Sequence, residues 1–450
     1  MASAYLERQL ESGSNGKTFT YSVWFKLSNT SGNHTIIGLS SDNNSTKYIE
    51  ACVKSNHRMD VQLRNGTSGD NGTYLRRRTN RLLRDTNAWY HFVLRVDSTQ
   101  ASASDRLRIY FNGEEETSFE DSTGTMPQDY VTDLNNTGAD HRLGRGGGAS
   151  SFYMDGLLAH FHLTDGQSYA PTTFGETDAT TGIWKPKTDP GISASNYGTN
   201  GFFLKMDISA NMGLDSSGNS HNFSTSGTII QTKDTPSNVF CTNNKLWGQE
   251  STRILNLTNI NNTLSGAGSS TWYQVPGTLA FSKGKYYWEC KFNASTNLDK
   301  NTPGVIDFEK TQESGQFQDK AGSVFYKNED GGDYRLDGST VDSNWGTLAQ
   351  NDILGIAVDM DAATPTVKYY KNGALLGTVN ASSFSGKTVT PAHMVYTSGE
   401  YKVNYGDGYF GTAAVATAEN PDDGNGIFEH DVPAGYRALC TKSLNATEYS

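Results

Sequence analysis

Cysteine is scarce: Cys52, Cys241, Cys290 and Cys440 are the whole complement of a 450-residue chain. So few and so scattered, they exclude a disulfide framework, and with no C-x-x-C pair they offer neither a zinc site nor a redox motif. They are expected to be reduced, buried small hydrophobes. Long apolar runs are also missing. No stretch approaches the roughly 18 apolar residues of a membrane span, and the opening MASAYLERQLESGSNGKTFTYSVW has no apolar h-region. Neither membrane insertion nor a secretory signal is therefore expected. Positive charge is in deficit, with 37 Lys and Arg against 48 Asp and Glu and a net charge of −11 spread without long like-charge runs. That balance argues against the broad basic surface a nucleic-acid partner needs. Helical periodicity is nearly absent, apart from a weak amphipathic pattern at Ser3 to Leu10.

What is present is β-sheet patterning. Gly is abundant at 47 residues and aromatics make up 11% of the chain, a balance typical of sheets with many turns. In Lys17 to Ser28, Phe19, Tyr21, Val23, Phe25 and Leu27 alternate onto one strand face, leaving Trp24 on the other. Further runs at Thr35-Ile36-Ile37, Lys47 to Val53, Met59 to Leu63, Trp89 to Val96 and Arg106 to Phe111 are separated by turn clusters such as Ser41-Asp42-Asn43-Asn44 and Asn65-Gly66. Short strands at this spacing predict a sandwich. From about Thr164 to Gln249 the pattern loosens around Pro171, Pro186, Pro190 and the polar Asp215 to Ser220. A second β-rich stretch begins near Trp272, with runs at Tyr286 to Phe292, Ile353 to Val358, Val367 to Tyr370 and Tyr401 to Tyr405. The reading is an all-β chain of two tandem antiparallel sandwiches: 1–168, a loop-rich connector at 169–249 packing on the first domain, and 250–450. The halves show no internal repeat.

Trp89-Tyr90-His91-Phe92-Val93-Leu94-Arg95-Val96-Asp97, followed by Arg106-Leu107-Arg108-Ile109-Tyr110-Phe111-Asn112-Gly113, then His141-Arg142-Leu143-Gly144 and Phe152 to Phe161, resembles the laminin-G-like, concanavalin A-like lectin/glucanase sandwich. Asn112-Gly113 supplies the positive-φ residues of a tight hairpin. Gly284 to Glu289, Asn351 to Asp359, Val367 to Gly373 and Pro433 to Leu439 resemble a SPRY domain, with a departure from its pattern at Pro303 to Tyr326. The order of the two, joined through Phe174-Gly175-Glu176-Thr177, Trp184-Lys185-Pro186-Lys187, Asn200 to Leu204 and Asp215-Ser216-Ser217-Gly218-Asn219, resembles tail-fibre or virion structural proteins of marine and aquatic bacteriophages. That resemblance implies a particle-surface location, other virion proteins as partners, a homo-oligomer of trimeric type, and attachment to host-surface glycans.

No Glu-x-Asp-x-x-Glu run of a glucanase occurs, nor a Gly-x-Ser-x-Gly elbow or a phosphate-cradling Gly-rich loop, and Gly144 to Gly148 reads as a flexible loop. Glu114-Glu115-Glu116 reads as a solvated hairpin edge, and Asp359-Met360-Asp361 and Asp330 to Asp337 read as turns, the latter lacking the Glu that closes an EF-hand. Some laminin-G-like domains hold calcium; Asp97, Asp105, Asp140 and Asp155 are the loop or strand-end candidates, though no match to the family's site emerges. His160 and His162 alternate on a strand without a third metal ligand and read as core or edge histidines. Arg76, Arg77, Arg78, Arg81 and Arg84 offer phosphates or uronic acids a cationic cluster, but are read first as an edge strand protected by charge. Tyr74, Tyr130, Tyr153, Tyr334 and Trp345 are loop aromatics of the kind that stack on sugars. Triplets such as Asn65-Gly66-Thr67 and Asn445-Ala446-Thr447 follow from an Asn-, Ser- and Thr-rich composition rather than from glycosylation. No catalytic residue, cofactor or metal is assigned, and no ligand-binding residue. The expectation is a non-enzymatic bacteriophage virion surface protein, either a tail-fibre head or a decoration; a stand-alone bacterial lectin or adhesin, or a divergent glycoside hydrolase, are the alternatives.

Overall fold

The computed structural model describes residues 3–41, 46–65, 73–147, 152–247, 255–293 and 297–449, in two units, Met1–Gln231 and Thr232–Ser450. In the first unit the strands are β1 (Tyr5–Gln9), β2 (Thr18–Leu27), β3 (His34–Ser40), β4 (Lys47–Val53), β5 (Arg58–Asn65), β6 (Thr73–Leu82), β7 (Tyr90–Asp97), β8 (Leu107–Phe111), β9 (Glu114–Glu115), β10 (Phe119–Asp121), β11 (Asp140–Leu143), β12 (Gly156–Asp165), β13 (Gly175–Thr177), β14 (Trp184–Pro186), β15 (Phe202–Leu204) and β16 (Ser224–Ser226). An eight-stranded sheet in the order β10-β6-β5-β4-β3-β11-β1-β16 packs on a six-stranded sheet in the order β15-β12-β2-β7-β8-β9. The five alternating apolar residues of β2, from Phe19 to Leu27, are all in the core, where they meet Leu39, Ile49, Val61 and Leu63 of the opposite sheet. Burial of two facing apolar stripes is what holds such a sandwich together.

The expected helical pattern at Ser3 to Leu10 is a strand instead. Residues Tyr5–Gln9 pair with both β11 and β16, so ladder partners from distant sequence override a weak local preference. The connector also differs from expectation. Its residues up to Gln231 belong to the first unit, adding β15 beside β12 and β16 beside β1. Thr232 onward belongs to the second unit, where the Cys241 N–H donates to the Leu439 carbonyl and the Asn243 amide to the Asn261 carbonyl. The expected boundary at 249/250 lies outside the described residues.

In the second unit the strands are β17 (Asn256–Thr258), β18 (Thr263–Ser265), β19 (Trp272–Pro276), β20 (Lys285–Phe292), β21 (Asn301–Asp307), β22 (Ser323–Lys327), β23 (Asp333–Leu336), β24 (Ser339–Val341), β25 (Ile353–Asp359), β26 (Thr366–Lys371), β27 (Ala374–Asn380), β28 (Val389–Tyr396), β29 (Glu400–Asn404), β30 (Tyr409–Phe410), β31 (Ala413–Ala414) and β32 (Arg437–Ala438). One sheet runs β17-β18-β29-β20-β25-β26-β27, with β32 added parallel to β20; the other runs β19-β28-β21-β22-β23-β24. A short helix, Thr441–Glu448, closes the chain and was not foreseen. Pro303 sits inside β21, but that strand pairs with β22 only from Gly304 onward, so the missing N–H breaks no bond there.

The two units share a turn device. Asn112-Gly113 and Asn372-Gly373 both adopt left-handed φ, +50° and +86° in the first and +48° and +83° in the second. In each, the Asn side-chain carbonyl accepts an N–H from the strand next to the hairpin, that of His91 on β7 or Ile353 on β25, at 2.9 Å. The same Asn donates its own N–H back to that residue's carbonyl. Only residues tolerant of positive φ can sit there, which is why Asn112-Gly113 marks its hairpin in the sequence; Asn372-Gly373 is a second turn of the same kind.

Candidate functional site

Each sandwich has an outer face on either sheet, and three of the four are covered by aromatic side chains from the same unit. On the six-stranded sheet of the first unit, Trp24 stacks on His91 with centroids 4.7 Å apart, and the Trp184 indole N–H donates to His91 Nδ1 at 3.0 Å. Because an indole can only donate, Nδ1 accepts, and His91 Nε2 carries the proton and donates to Ser22 Oγ at 2.8 Å. Burial holds this imidazole neutral, lowering its pKa to about 3. His162 bonds the Tyr197 hydroxyl at 3.0 Å and stacks on Phe203 at 3.8 Å, with Phe174 beside it. The connector is thus a lid fastened by histidines.

In the second unit, Phe428, Tyr436 and Ala438 cover Tyr287 and Ala357 on the larger sheet. That cover is pinned by the buried Glu289 carboxylate, which accepts the N–H groups of Glu429 and His430, both at 2.9 Å, and the Tyr287 hydroxyl at 3.2 Å. Burial raises its pKa to about 7. The smaller sheet is covered by Phe317 and Trp247, whose indole donates to the Thr311 carbonyl at 3.0 Å. The acidic, Gln-rich departure from the SPRY pattern supplies Phe317 of this cover, and the segment before β17 supplies Trp247.

The remaining face, on the eight-stranded sheet of the first unit, is different. The segment Gly144–Gly147 crosses β3 so closely that a Cβ at Gly38 would lie 2.2 Å from the Arg145 carbonyl oxygen. Arg142 donates to the Gly147 carbonyl, and Arg145 stacks on Tyr5 at 4.9 Å. Packing this close corrects the expectation of a flexible loop for the described residues 144–147; Gly148 lies outside them. Beyond it, β4, β5 and β6 present Tyr48, Glu50, Asp60, Gln62, Arg64, Tyr74, Arg76 and Arg78, residues that alternate with the core-facing Ile49, Ala51, Val61, Leu63 and Leu75. Among the described residues an aromatic, Phe152, lies 5.3 Å from the Lys54 ammonium at the Glu50 end of this strip, and none lies over Asp60, Gln62 or Arg76.

The strip is one connected network. The Tyr48 and Tyr74 hydroxyls donate to Gln62 Oε1 at 2.8 and 3.4 Å. Asp60, with no exposed surface, accepts Arg76 through both carboxylate oxygens (3.0 and 2.5 Å) and Arg78 at 3.0 Å. Burial pushes the Asp60 carboxyl up against the pull of Arg76. Glu50 is likewise raised by burial, with the Lys54 ammonium 3.3 Å away pulling it down. The floor is polar and hydrogen-bonding, with two tyrosines at one end.

The arginine cluster noted in the sequence is therefore split and paired. Arg76 and Arg78 join Asp60, with Asp121 and Glu120 as second partners; Arg77 donates to the Thr123 and Gly124 carbonyls; Arg81 pairs with Glu116 at 2.9 Å; Arg84 is exposed. Glu116 is buried rather than solvated, while Glu114 and Glu115 are exposed as expected. The calcium candidates do not converge. Asp97 accepts from Thr99 and Gln100, Asp105 pairs with Arg108, Asp140 with Arg142, and Asp155 with Asn29. No group of three metal-ligating side chains occurs among the described residues. A bulge between Ala159 and His162 gives His160 a left-handed φ of +47°, breaking the alternation read for the pair. Asp359 caps the Asp361 and Ala362 N–H groups, so that stretch is a turn; in the other, Asp330 to Gly332 turn but Asp333–Leu336 is strand β23, whose Asp333 carboxylate accepts the Ser343 and Asn344 N–H groups, which corrects the reading of a turn throughout. Of the aromatics singled out, only Tyr74 lies on the strip. Tyr153 packs with Tyr5, Tyr334 stacks on Trp345 at 4.9 Å, and the Tyr130 carbonyl accepts from Ser98. The four cysteines are free and buried. No described helix is long and apolar enough to cross a membrane.

Comparison with known proteins agrees with the first unit's architecture. No curated protein matches the chain in sequence. Part of the chain is similar to the SPRY domain of human HERC1, at 16% identity over 32% of this chain and 87% of that one (TM-score 0.27). Another similar structure is the TRIM65 PSpry domain, at 18% identity over 36% and 88% (TM-score 0.28). A third is the native heptameric SAP-like pentraxin from Limulus polyphemus, at 15% identity over 37% and 71% (TM-score 0.26). Residues 3–168, which carry the open strip, match the Laminin_G_3 family of the concanavalin A-like lectin/glucanases superfamily.

Proposed function

We propose that the chain is a glycan-binding surface protein of a bacteriophage particle, acting by attachment rather than catalysis, with the β4–β6 strip as its binding face. The observation that carries the binding reading is the strip itself: a sheet face with no aromatic over Asp60, Gln62 or Arg76 among the described residues, floored by the Gln62 amide, the Glu50 and Asp60 carboxylates and the tyrosine hydroxyls. Sugars are bound by such groups, which match paired hydroxyls, together with ring faces such as those of Tyr48 and Tyr74. Its position in a lectin/glucanase-type domain supports the same reading.

The geometry speaks against a hydrolase. Cleavage of a glycosidic bond needs one carboxyl free to donate a proton and another free to attack or to activate water. Asp60 has its oxygens engaged by two arginines, and Glu50 is held by Lys54. Release of reducing ends from a host polysaccharide would overturn the non-enzymatic reading. The particle assignment rests on the order of the two modules and on the joining motifs around Trp184 and Asp215. Several copies, a trimer in this proposal, would turn weak sites into firm attachment through effective concentration; a monomer by light scattering would refute the oligomer.

Gold-labelled antibody on purified, genome-filled particles is the direct test. Label at a tail tip or fibre supports receptor binding, and label over the head supports decoration. Absence from well-labelled control particles overturns the virion assignment in favour of a free adhesin.

A further inference from the structure

We infer that the β4–β6 strip selects uncharged glycans and rejects uronic, sialylated or sulfated ones, although it contains four cations. The inference rests on the glycan reading above and deepens it by naming the ligand class. A cluster of Arg76, Arg77, Arg78, Arg81 and Arg84 in sequence invites the opposite conclusion, since guanidinium groups are the usual partners of carboxylates and sulfates. What decides the matter is whether any donor on the face remains free for a ligand's charge.

The cations of the strip are engaged within the protein. Arg76 gives Nε and Nη2 to Asp60 and turns Nη1 toward Asp121 at 3.3 Å. Arg78 gives Nε and Nη2 to the same carboxylate and turns Nη1 toward Glu120 at 3.5 Å. Lys54 pairs with Glu50, and Arg64 hydrogen-bonds Tyr48. Lys54, Arg64, Arg76 and Arg78 thus face Glu50, Asp60, Glu120 and Asp121. An anionic sugar entering this face meets as many carboxylates as cations, and to gain an arginine it must displace a buried, doubly bonded Asp60. Desolvating an anion without a new partner is unfavourable. A neutral polyhydroxyl ligand needs no displacement of an ion pair, because hydroxyls donate to the Glu50 oxygen not bonded to Lys54 and accept from the Gln62 N–H not bonded to Asp60. Asp60 is in this sense the specificity-determining residue: it neutralises the two arginines on the ligand's behalf.

The test is a glycan array carrying neutral, uronic acid-containing, sialylated and sulfated glycans, probed with the full chain. The expected result is binding confined to neutral glycans, changing less than about twofold between about 0.01 M and about 1 M sodium chloride, where the Debye length shrinks from roughly 30 Å to roughly 3 Å. Binding confined to acidic glycans and lost with salt would overturn the selectivity while leaving the glycan reading intact. No binding to any class would overturn the glycan reading on which it rests. Asp60→Asn supplies the converse: freed of their common carboxylate, Arg76 and Arg78 should give the variant salt-sensitive binding to polygalacturonate, by at least about tenfold over wild type. A folded Asp60→Asn chain, by circular dichroism, with no gain for polygalacturonate would refute the role assigned to Asp60. Should that variant fail to fold, the salt dependence of the wild-type chain decides alone.

Discussion

The two units solve the same architectural problem with opposite endings. Each stacks a larger sheet on a six-stranded one, each turns a hairpin at a sheet edge on Asn-Gly, and each must do something with the outer face of its larger sheet. The second unit closes that face with the segment carrying Phe428, Tyr436 and Ala438, and fixes it with Glu289. The first unit leaves the β4–β6 face without an aromatic over Asp60, Gln62 or Arg76 among the described residues and fills it with a charge-balanced network instead. A sheet face that is apolar must be buried, whereas one tiled with mutually satisfied polar groups can stay open to water at little cost and remain free for a ligand. In the proposed reading attachment falls to the first unit, while the larger sheet of the second carries a structural seal.

The sharpest way to break this comparison is to unfasten the seal. Glu289→Ala leaves the Glu429 and His430 N–H groups without an acceptor, a loss of about 2–6 kcal/mol at about 1–3 for each orphaned donor. Urea unfolding with hydrogen exchange should show lower stability and lost protection at residues 428–430; unchanged protection would mean the seal is held elsewhere.

Titration of the same group is the next largest effect. The folded-state pKa of Glu289, about 7, lies above its ordinary value of 4.5. Its contribution is therefore complete below about pH 4.5 and lost as pH rises through about 7, up to about 3 kcal/mol across that window. Urea midpoints between pH 5 and pH 8 should fall in wild type and flatten in Glu289→Gln. A midpoint that rises with pH would refute the assignment.

On the first unit, Trp184→Ala removes the indole that packs over Gly113 and bonds His91. Because the ring is half-buried, a loss of about 2 kcal/mol is expected, less than for a fully buried tryptophan. Thermal denaturation measures it, and no shift would mean that the connector is held without this contact. The smallest stability effect belongs to the open strip. Gln62→Ala should change stability by less than about 1 kcal/mol, since Tyr48 and Tyr74 can turn their hydroxyls to water, yet abolish array binding. A variant that binds as wild type would move the site off β4–β6.

Much of the sandwich framework was legible in the sequence because its signals are local. Strict alternation put Phe19 to Leu27 on one face of β2, the face that lies in the core, and Asn112-Gly113 marked the β8–β9 hairpin. The covers were not legible. Trp184, Phe174, Phe317 and Phe428 lie in segments without periodicity, and only contact over long sequence distance shows what they cover. β1 was misread because five residues around Leu6 are too short to separate a period of two from one of 3.6. The strip was half legible. Polar Tyr48 and Glu50, and Asp60, Gln62 and Arg64, alternate with apolar neighbours in the strands that were found, a signal that the eye-catching arginines obscured. That Arg76 and Arg78 share Asp60 follows from cross-strand register, which no single strand discloses.

The close approach of Gly144–Gly147 to Gly38 bears on how such a protein can diversify. A methyl group at position 38 would collide with the Arg145 carbonyl, and one at 147 would sit 2.9 Å from that of Leu39. A side chain at either position would therefore force this segment away from β3 or distort the strand beneath it. Two glycines thus set which sequences can keep this face closed, because any other residue at 38 or 147 trades the close backbone approach for strain.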